Sequence, residues 1–208
     1  MSPSRHSYRL NLTVYNNQIV SFGTNNYFNG KLNLVSSEQT NIIVGNDCLF
    51  SFGIWMRTAD PHLIYSAKTK KRINPSKSIY IGDHVWIGQD ALILKGSKIK
   101  SGSIVGAKAL VAGKTIYTGT VWGGNPAKQI SNDIIWDPRC VHSWQEPDTK
   151  KNRVINNEEN VYKYTKDEYV SFRSIESVLR PLSINEKFKF LQKLNTTSAH
   201  NRYSFRKK

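Results

Sequence analysis

From Ile81 to Ile116 the chain falls into six successive six-residue units: IGDHVW, IGQDAL, ILKGSK, IKSGSI, VGAKAL and VAGKTI. The first position is aliphatic each time (Ile81, Ile87, Ile93, Ile99, Val105, Val111). The fifth is small or β-branched (Val85, Ala91, Ser97, Ser103, Ala109, Thr115), and the second is Gly or Ala in four units (Gly82, Gly88, Gly106, Ala112). A helix would place apolar residues at i, i+3, i+4 and i+7, and each glycine would cost it about 1 kcal/mol relative to alanine. A plain strand would alternate without interruption, whereas here Gly, Asp or Lys-Gly resets the alternation every six residues. A short strand that turns a corner every six residues fits the pattern. Its first position points into a core, its fifth fills the corner, and a small second position lets the backbone bend. One such unit cannot bury its own apolar face, so the units must stack into a solenoid. Aligned first positions then form ladders in which each buried Ile contributes roughly 1.5–3 kcal/mol.

Upstream, VGNDCL, FSFGIW and MRTADP hold the same frame, with Val44, Phe50 and Met56 at first positions. Residues 1–40 are β-rich but irregular and read as entry strands and degenerate early coils, with a turn at Asn29-Gly30. Residues 63–80 break the period and are basic (Lys68, Lys70, Lys71, Arg72, Lys77), the mark of a protruding loop, where repeat proteins place function. Beyond residue 131 the composition turns to mixed charge with scattered aromatics. Three regions follow: 1–40, a β-helix over 41–130 carrying the loop, and a C-terminal extension over 131–208. Within the extension, Ser183 to Glu186 forms a capping box that opens a short helix with Phe188, Leu191 and Leu194 on one face. The extension is expected to plug the open end of the solenoid, and residues 200–208 to be mobile.

The repeat, with the closing run VWGGNPAKQI at 121–130, resembles the hexapeptide-repeat acyltransferases over residues 40–130. The resemblance implies an all-β fold, a left-handed parallel β-helix of triangular section. It also implies acetyl-CoA as co-substrate and a homotrimer with sites between subunits. The run Arg57-Thr58-Ala59-Asp60-Pro61-His62 resembles the R-T-x-D-x-H segment of capsule and sialic acid O-acetyltransferases, in which this His is the catalytic base. An imidazole suits proton removal from a sugar hydroxyl at cellular pH, and Asp60 could orient it and stabilise its charge. Trp86 closes an I-G-x-x-V-W unit like that whose Trp lines the resembling enzymes' active site. It falls 24 residues after His62, one 18-residue coil plus six placed in the loop, which would return it beside His62 one coil down. The resemblance sets Gln89 and Ala107 along the pantetheine arm of CoA, and Lys114 and Lys128 at its nucleotide end. Reaching Lys114 takes one inserted residue relative to the family's V-T-K pattern. His84, two residues before Trp86, is the fallback base.

The 208 residues are 38% hydrophobic with a mean hydropathy of −0.50 and no apolar run near the ~18–20 residues of a membrane span. No secretory h-region opens the chain, and Cys48 and Cys140 make no disulfide framework. A cytoplasmic location is expected, with a peripheral position at the inner membrane surface compatible with it. The net charge is +15, and through residue 130 there are 15 Lys/Arg against 5 Asp/Glu. Basic surfaces attract polyanions. No nucleic-acid module accompanies the charge, so the expected partners are the phosphates of CoA and an acidic polysaccharide acceptor such as capsular polysialic acid. Arg57, Lys70, Lys71 and Arg72 are the candidate acceptor-binding residues. No metal-ligand cluster is present, and no nucleophilic Ser or Cys has a base motif nearby, which favours direct transfer over an acyl-enzyme. Two other readings stay open: an acetyltransferase for a small sugar, amino sugar or antibiotic, and a non-catalytic trimeric glycan-binding scaffold.

Overall fold

The computed structural model describes every residue except 1, 3, 157, 197, 198 and 206–208. The first coil runs through β1 (Leu10–Val14), β2 (Val20–Phe22) and β3 (Tyr27–Phe28), and the second through β4 (Leu32–Ser36), β5 (Ile42–Val44) and β6 (Leu49–Phe50). The third comprises β7 (Trp55–Arg57), β8 (Ile79–Ile81) and β9 (Trp86–Ile87), and the fourth β10 (Leu92–Leu94), β11 (Lys98–Ile99) and β12 (Ile104–Val105). The fifth is β13 (Leu110–Ala112), β14 (Thr115–Ile116) and β15 (Val121–Gly123), after which β16 (Lys128–Ser131) folds back antiparallel onto β15. Strands of successive coils pair in parallel and build three faces: β1-β4-β7-β10-β13, β2-β5-β8-β11-β14, and β3-β6-β9-β12-β15-β16. This is a left-handed parallel β-helix of hexapeptide repeats.

The six-residue frame sets what enters the prism. Ile81, Ile87, Ile93, Ile99, Val105 and Val111 are fully buried, as are Val44, Phe50 and Met56, and all belong to one continuous core. At the N-terminal end Phe22, Phe28 and Phe50 replace the aliphatics, with Phe28 stacked on Phe50 at 5.3 Å. The small second position serves stacking. A Cβ on Gly88 would lie 2.5 Å from the Ala107 amide nitrogen, and one on Gly82 2.7 Å from that of Ser101, so the next coil's backbone occupies the space. Residues 10–36 build regular coils rather than degenerate ones. They are longer, Leu10 pairing with Leu32 and Asn33 with Trp55, whereas Leu92 pairs with Leu110. The extra residues bulge at the corner between the first and second faces.

The C-terminal segment holds α1 (Glu146–Lys151), α2 (Phe172–Leu179) and α3 (Ile184–Asn195). It does not plug an open end. Phe172, Ile175, Leu179, Leu191, Leu194 and Tyr203 form a second core against Ile43 and Tyr80, the outward residues of β5 and β8. The second face therefore carries apolar residues on both sides, one for the prism interior and one for this layer. Ala127, in the turn after β15, is itself fully buried in the solenoid core. The capping box of α3 is present, with both Ser183 and Glu186 engaged. Its buried side is Lys187, Leu191 and Leu194, while Phe188 is exposed. Lys187 reaches inward because its Nζ donates to the Asn17 carbonyl at 2.8 Å. The expected mobile end is packed over its described part, with Arg202, Tyr203 and Ser204 buried, and 206–208 lie outside the described residues. No helix among the described residues is long and apolar enough to cross a membrane.

Candidate active site

His62 stands on an arm inserted at the corner between the first and second faces. Arg57 pairs with Leu94, and Leu94 with Ala112. The coil that holds the arm is thus nineteen residues longer than the next, not six. Thr58 and Lys77 close its base, the Lys77 amide donating to the Thr58 carbonyl at 3.0 Å. Above this the chain forms a hairpin, with Ile73 N–H on the Ile64 carbonyl, Ser66 N–H on that of Lys71, and a bridge from Tyr65 to Arg72. His62 is exposed, and its imidazole makes no hydrogen bond among the described residues.

A polar network fixes the arm. Arg72 forms a bidentate pair with Glu38 (2.5 and 2.9 Å), and the Ser76 hydroxyl and amide add to it. Arg72 first, and Ser76 second, hold the Glu38 carboxyl down to about 2. Asn74 is buried, and its amide donates to Asp60 Oδ2 (3.1 Å) and to the His62 carbonyl (2.7 Å). Lys95, at the end of β10 in the next coil, donates to Asp60 Oδ2 at 2.5 Å and to the Asn74 carbonyl at 3.2 Å. Lys95, then Asn74, keep the Asp60 carboxyl below its ordinary value. Asp60 therefore faces Lys95 and Asn74 rather than the imidazole. Its negative charge is met by the Lys95 ammonium.

Trp86 does not return beside His62 within the chain. It pairs with Leu49 and Ile104 on the third face, and the residue below the arm is Lys95. The nineteen-residue arm shifts the count that placed it there. Trp86 is exposed, with its ring 5.9 Å from that of Trp136. His84 is unsuited to be a base. Its ring is buried, stacks on Trp136 at 3.9 Å, and shares a hydrogen bond with the Trp136 carbonyl, while Trp136 Nε1 donates to the His84 carbonyl. Burial depresses the His84 pKa.

The remaining candidates divide between two edges. Gln89 and Ala107 are exposed on successive coils at the corner between the third and first faces, where the Lys108 amide donates to the Gln89 carbonyl. Lys128 is exposed on β16. Lys114 is half-buried at the corner below the arm, its carbonyl accepting from the Lys98 amide. Lys70 and Lys71 are exposed at the arm's tip. Arg72 is not a free cation for an anionic acceptor, because Glu38 and Asn74 occupy its guanidinium. Arg57 is half-buried on β7, and its buried Nε has no hydrogen-bond partner among the described residues. Among the described residues no group of three or more His, Cys, Asp or Glu side chains could hold a metal ion.

Two outward-facing columns of apolar side chains are half-buried to exposed. One is Trp55, Leu92 and Leu110 on the first face, and the other is Tyr27, Leu49, Trp86 and Ile104 on the third. Sequence reasoning missed Asn74, Lys95 and Glu38. The one local sign was the Asn74-Pro75 pair inside a basic loop, which marks a turn without revealing that the Asn is buried.

No family model matches the chain. It is 42% identical over 115 residues to a polysialic acid O-acetyltransferase of Neisseria meningitidis, covering 55% of this chain and 53% of that protein. It is 40% identical over 102 residues to a polysialic acid O-acetyltransferase of Escherichia coli O1:K1 / APEC, covering 49% and 33% respectively. The chain thus spans about half the length of one curated relative and a third of the other. Among solved structures it is similar to the polysialic acid O-acetyltransferase OatWY, with a TM-score of 0.51 at 27% identity, over 73% of this chain and 78% of that one. That likeness supports the β-helix described above.

Proposed function

We propose that this chain is an acetyl-CoA-dependent O-acetyltransferase acting on an acidic glycan, polysialic acid or a related capsule polysaccharide. The single observation that carries the reading is the placement of His62, with an unengaged imidazole on an arm that is otherwise bolted down by Glu38, Asn74 and Lys95. His62 takes the proton from a sugar hydroxyl as the oxygen attacks the thioester carbonyl. The tetrahedral intermediate collapses, the acetyl ester remains on the sugar, and the CoA thiolate leaves with the proton returned by the imidazolium. Lys70 and Lys71 at the arm's tip meet the carboxylates of the acceptor.

The site is completed by a second copy. His62 and Lys114 lie at the corner between the first and second faces, whereas Trp86, Gln89, Ala107 and Lys128 lie on the third face or at its corner with the first. The first face separates the two groups, so one protomer cannot bring them together. A homotrimer sets the arm of one subunit against the third face of the next, where Trp86 offers its indole to the thioester and the other residues line the CoA path. The partly exposed apolar columns on the first and third faces agree with such packing, and the second face is already taken by the C-terminal segment.

The reaction is tested by thiol release from acetyl-CoA with polysialic acid as acceptor. His62→Ala is expected to lower kcat by about 10²–10⁴-fold, and unchanged turnover would remove the base. Mixing His62→Ala with Trp86→Ala subunits is expected to restore a fraction of activity through hybrid sites. Failure of every mixture would place both residues' roles within single chains. A neutral-sugar acceptor turned over faster than polysialic acid, with no salt dependence, would refute the acidic acceptor.

A further inference from the structure

We infer that Asn74 is the positioning residue that sets His62 in place, with Lys95 as its anchor to the solenoid. This rests on the reading of His62 as the base. The arm is a long exposed insertion, and an exposed loop left to itself would spread the imidazole over many positions. Asn74 removes that freedom. Its side chain is buried and uses its full hydrogen-bonding capacity. Its two N–H donors go to Asp60 Oδ2 and the His62 carbonyl, while its Oδ1 accepts from the Ile64 amide at 2.9 Å and from Arg72 Nε at 3.2 Å. One amide group therefore clasps the main chain on either side of Leu63, leaving the His62 ring free for chemistry.

The clasp is tied to rigid structure in two directions. Arg72 carries it to Glu38 in the preceding coil, and Lys95 carries it to β10 in the following one through both Asp60 and the Asn74 carbonyl. Asp60, expected to orient the imidazole directly, acts instead as the bridge between Lys95 and Asn74. Proximity effects are steep, and about 1 Å of misplacement costs on the order of 10²-fold in rate. Holding the main chain at residues 62 and 64 is thus enough to govern turnover without touching substrate.

The test is steady-state kinetics with acetyl-CoA and polysialic acid for Asn74→Ala, Lys95→Gln, His62→Ala and the double variant His62→Ala/Asn74→Ala. Asn74→Ala is expected to lower kcat by about 10–100-fold while KM for acetyl-CoA changes by less than about twofold, since the proposed CoA residues lie on the other edge. Lys95→Gln keeps the amide clasp and weakens only its anchor, so a smaller fall of about 3–10-fold is expected. It decides the matter should Asn74→Ala fail to fold. In the double variant, loss of Asn74 is expected to change the residual His62→Ala rate by less than about twofold, since a group acting through His62 has nothing left to position. An equal proportional loss in both backgrounds would make Asn74 merely structural and overturn the inference. So would Asn74→Ala and Lys95→Gln variants with wild-type kcat beside an inactive His62→Ala, which would leave the base standing. A fully active His62→Ala removes the base, and the clasp with it.

Discussion

Breaking the ion pair between Asp83 and Arg202 is expected to release the C-terminal segment from the second face while leaving the solenoid wound. The pair is bidentate, with Arg202 Nε 2.8 Å from Asp83 Oδ2 and Nη2 2.7 Å from Oδ1, and the side chains are 1% and 7% exposed. Arg202 Nη1 also donates to the Leu194 carbonyl at 2.7 Å, and Asp83 Oδ1 accepts from the Asn46 amide at 2.7 Å. The pair therefore joins the end of α3 to two coils at once. An apolar surrogate such as Arg202→Met keeps much of the packing but strands a carboxylate in a buried site, at a cost of about 3–5 kcal/mol. Asp83→Asn keeps shape and one acceptor, and should cost about 1.5–3 kcal/mol. Because the two groups mainly serve each other, the double variant should be less destabilised than the sum of the singles by at least about 1 kcal/mol. Urea titration gives the magnitudes. Hydrogen exchange locates them: the Val170 amide, bonded to the Arg202 carbonyl at 2.6 Å, should exchange fast, while the amides shared by β8 and β11 stay protected. A cost under about 1 kcal/mol, or exchange rising equally in the β8–β11 ladder, would refute the view that this pair is the segment's grip.

Ile93 is fully buried in the middle of the first-face ladder, so Ile93→Ala should destabilise the protein by about 2–5 kcal/mol in denaturant titration. Lys100 is buried under the C-terminal segment, with its Nζ 3.8 Å from the Phe172 ring centre, and burial, aided by Lys98, lowers its pKa to about 7. Between that value and the unfolded value near 10.5 the unfolded chain binds the extra proton. Stability should therefore rise as pH climbs from 7 toward 10, until the buried tyrosines Tyr80, Tyr162 and Tyr203, whose pKa values are raised mainly by burial, reverse the trend. Thermal melts of Lys100→Met should lose that slope and gain on the order of 4 kcal/mol at pH 7, whereas a slope identical to wild type would dismiss Lys100 as its source.

The solenoid was legible because its determinant is periodic. Ile81 through Val111 announce the ladder in sequence, and the structure buries each of them completely. Early coils were harder to read because their corners carry extra residues, which break the period in sequence without disturbing the strand register in space. Phe188 shares a face with Leu191 and Leu194 in the sequence pattern, yet Lys187 is the residue buried with them, having found a backbone carbonyl for its charge. His62 itself could be singled out by its local run, but its surroundings could not. Glu38, Asn74 and Lys95 come from three separate stretches of chain, and what unites them is the stacking of coils, visible only once the arm's true length is known. That length also explains Trp86: counting in units of six fails wherever an insertion is not a multiple of six.

All the insertions fall at one corner, and this has a physical reason. On the flat faces each residue is locked into a parallel ladder with coils above and below, so an added residue would throw every later side chain to the wrong side. At a corner the chain is already leaving one ladder for the next, and extra residues can bulge outward at little cost to register. Yet a bulge alone gives a floppy loop. The arm of the third coil is ordered because the shorter bulge of the second coil brings Glu38 to it, and the unextended corner of the fourth brings Lys95. Three successive corners of unequal length thus make one polar socket. Glu38 remains ionised down to about pH 2 through Arg72 and Ser76, so this contact is retained across the range in which ordinary carboxylates titrate and is lost only as pH falls through that value. A side chain carried on such an arm inherits the rigidity of the β-helix while standing clear of it, which suits the role proposed for His62.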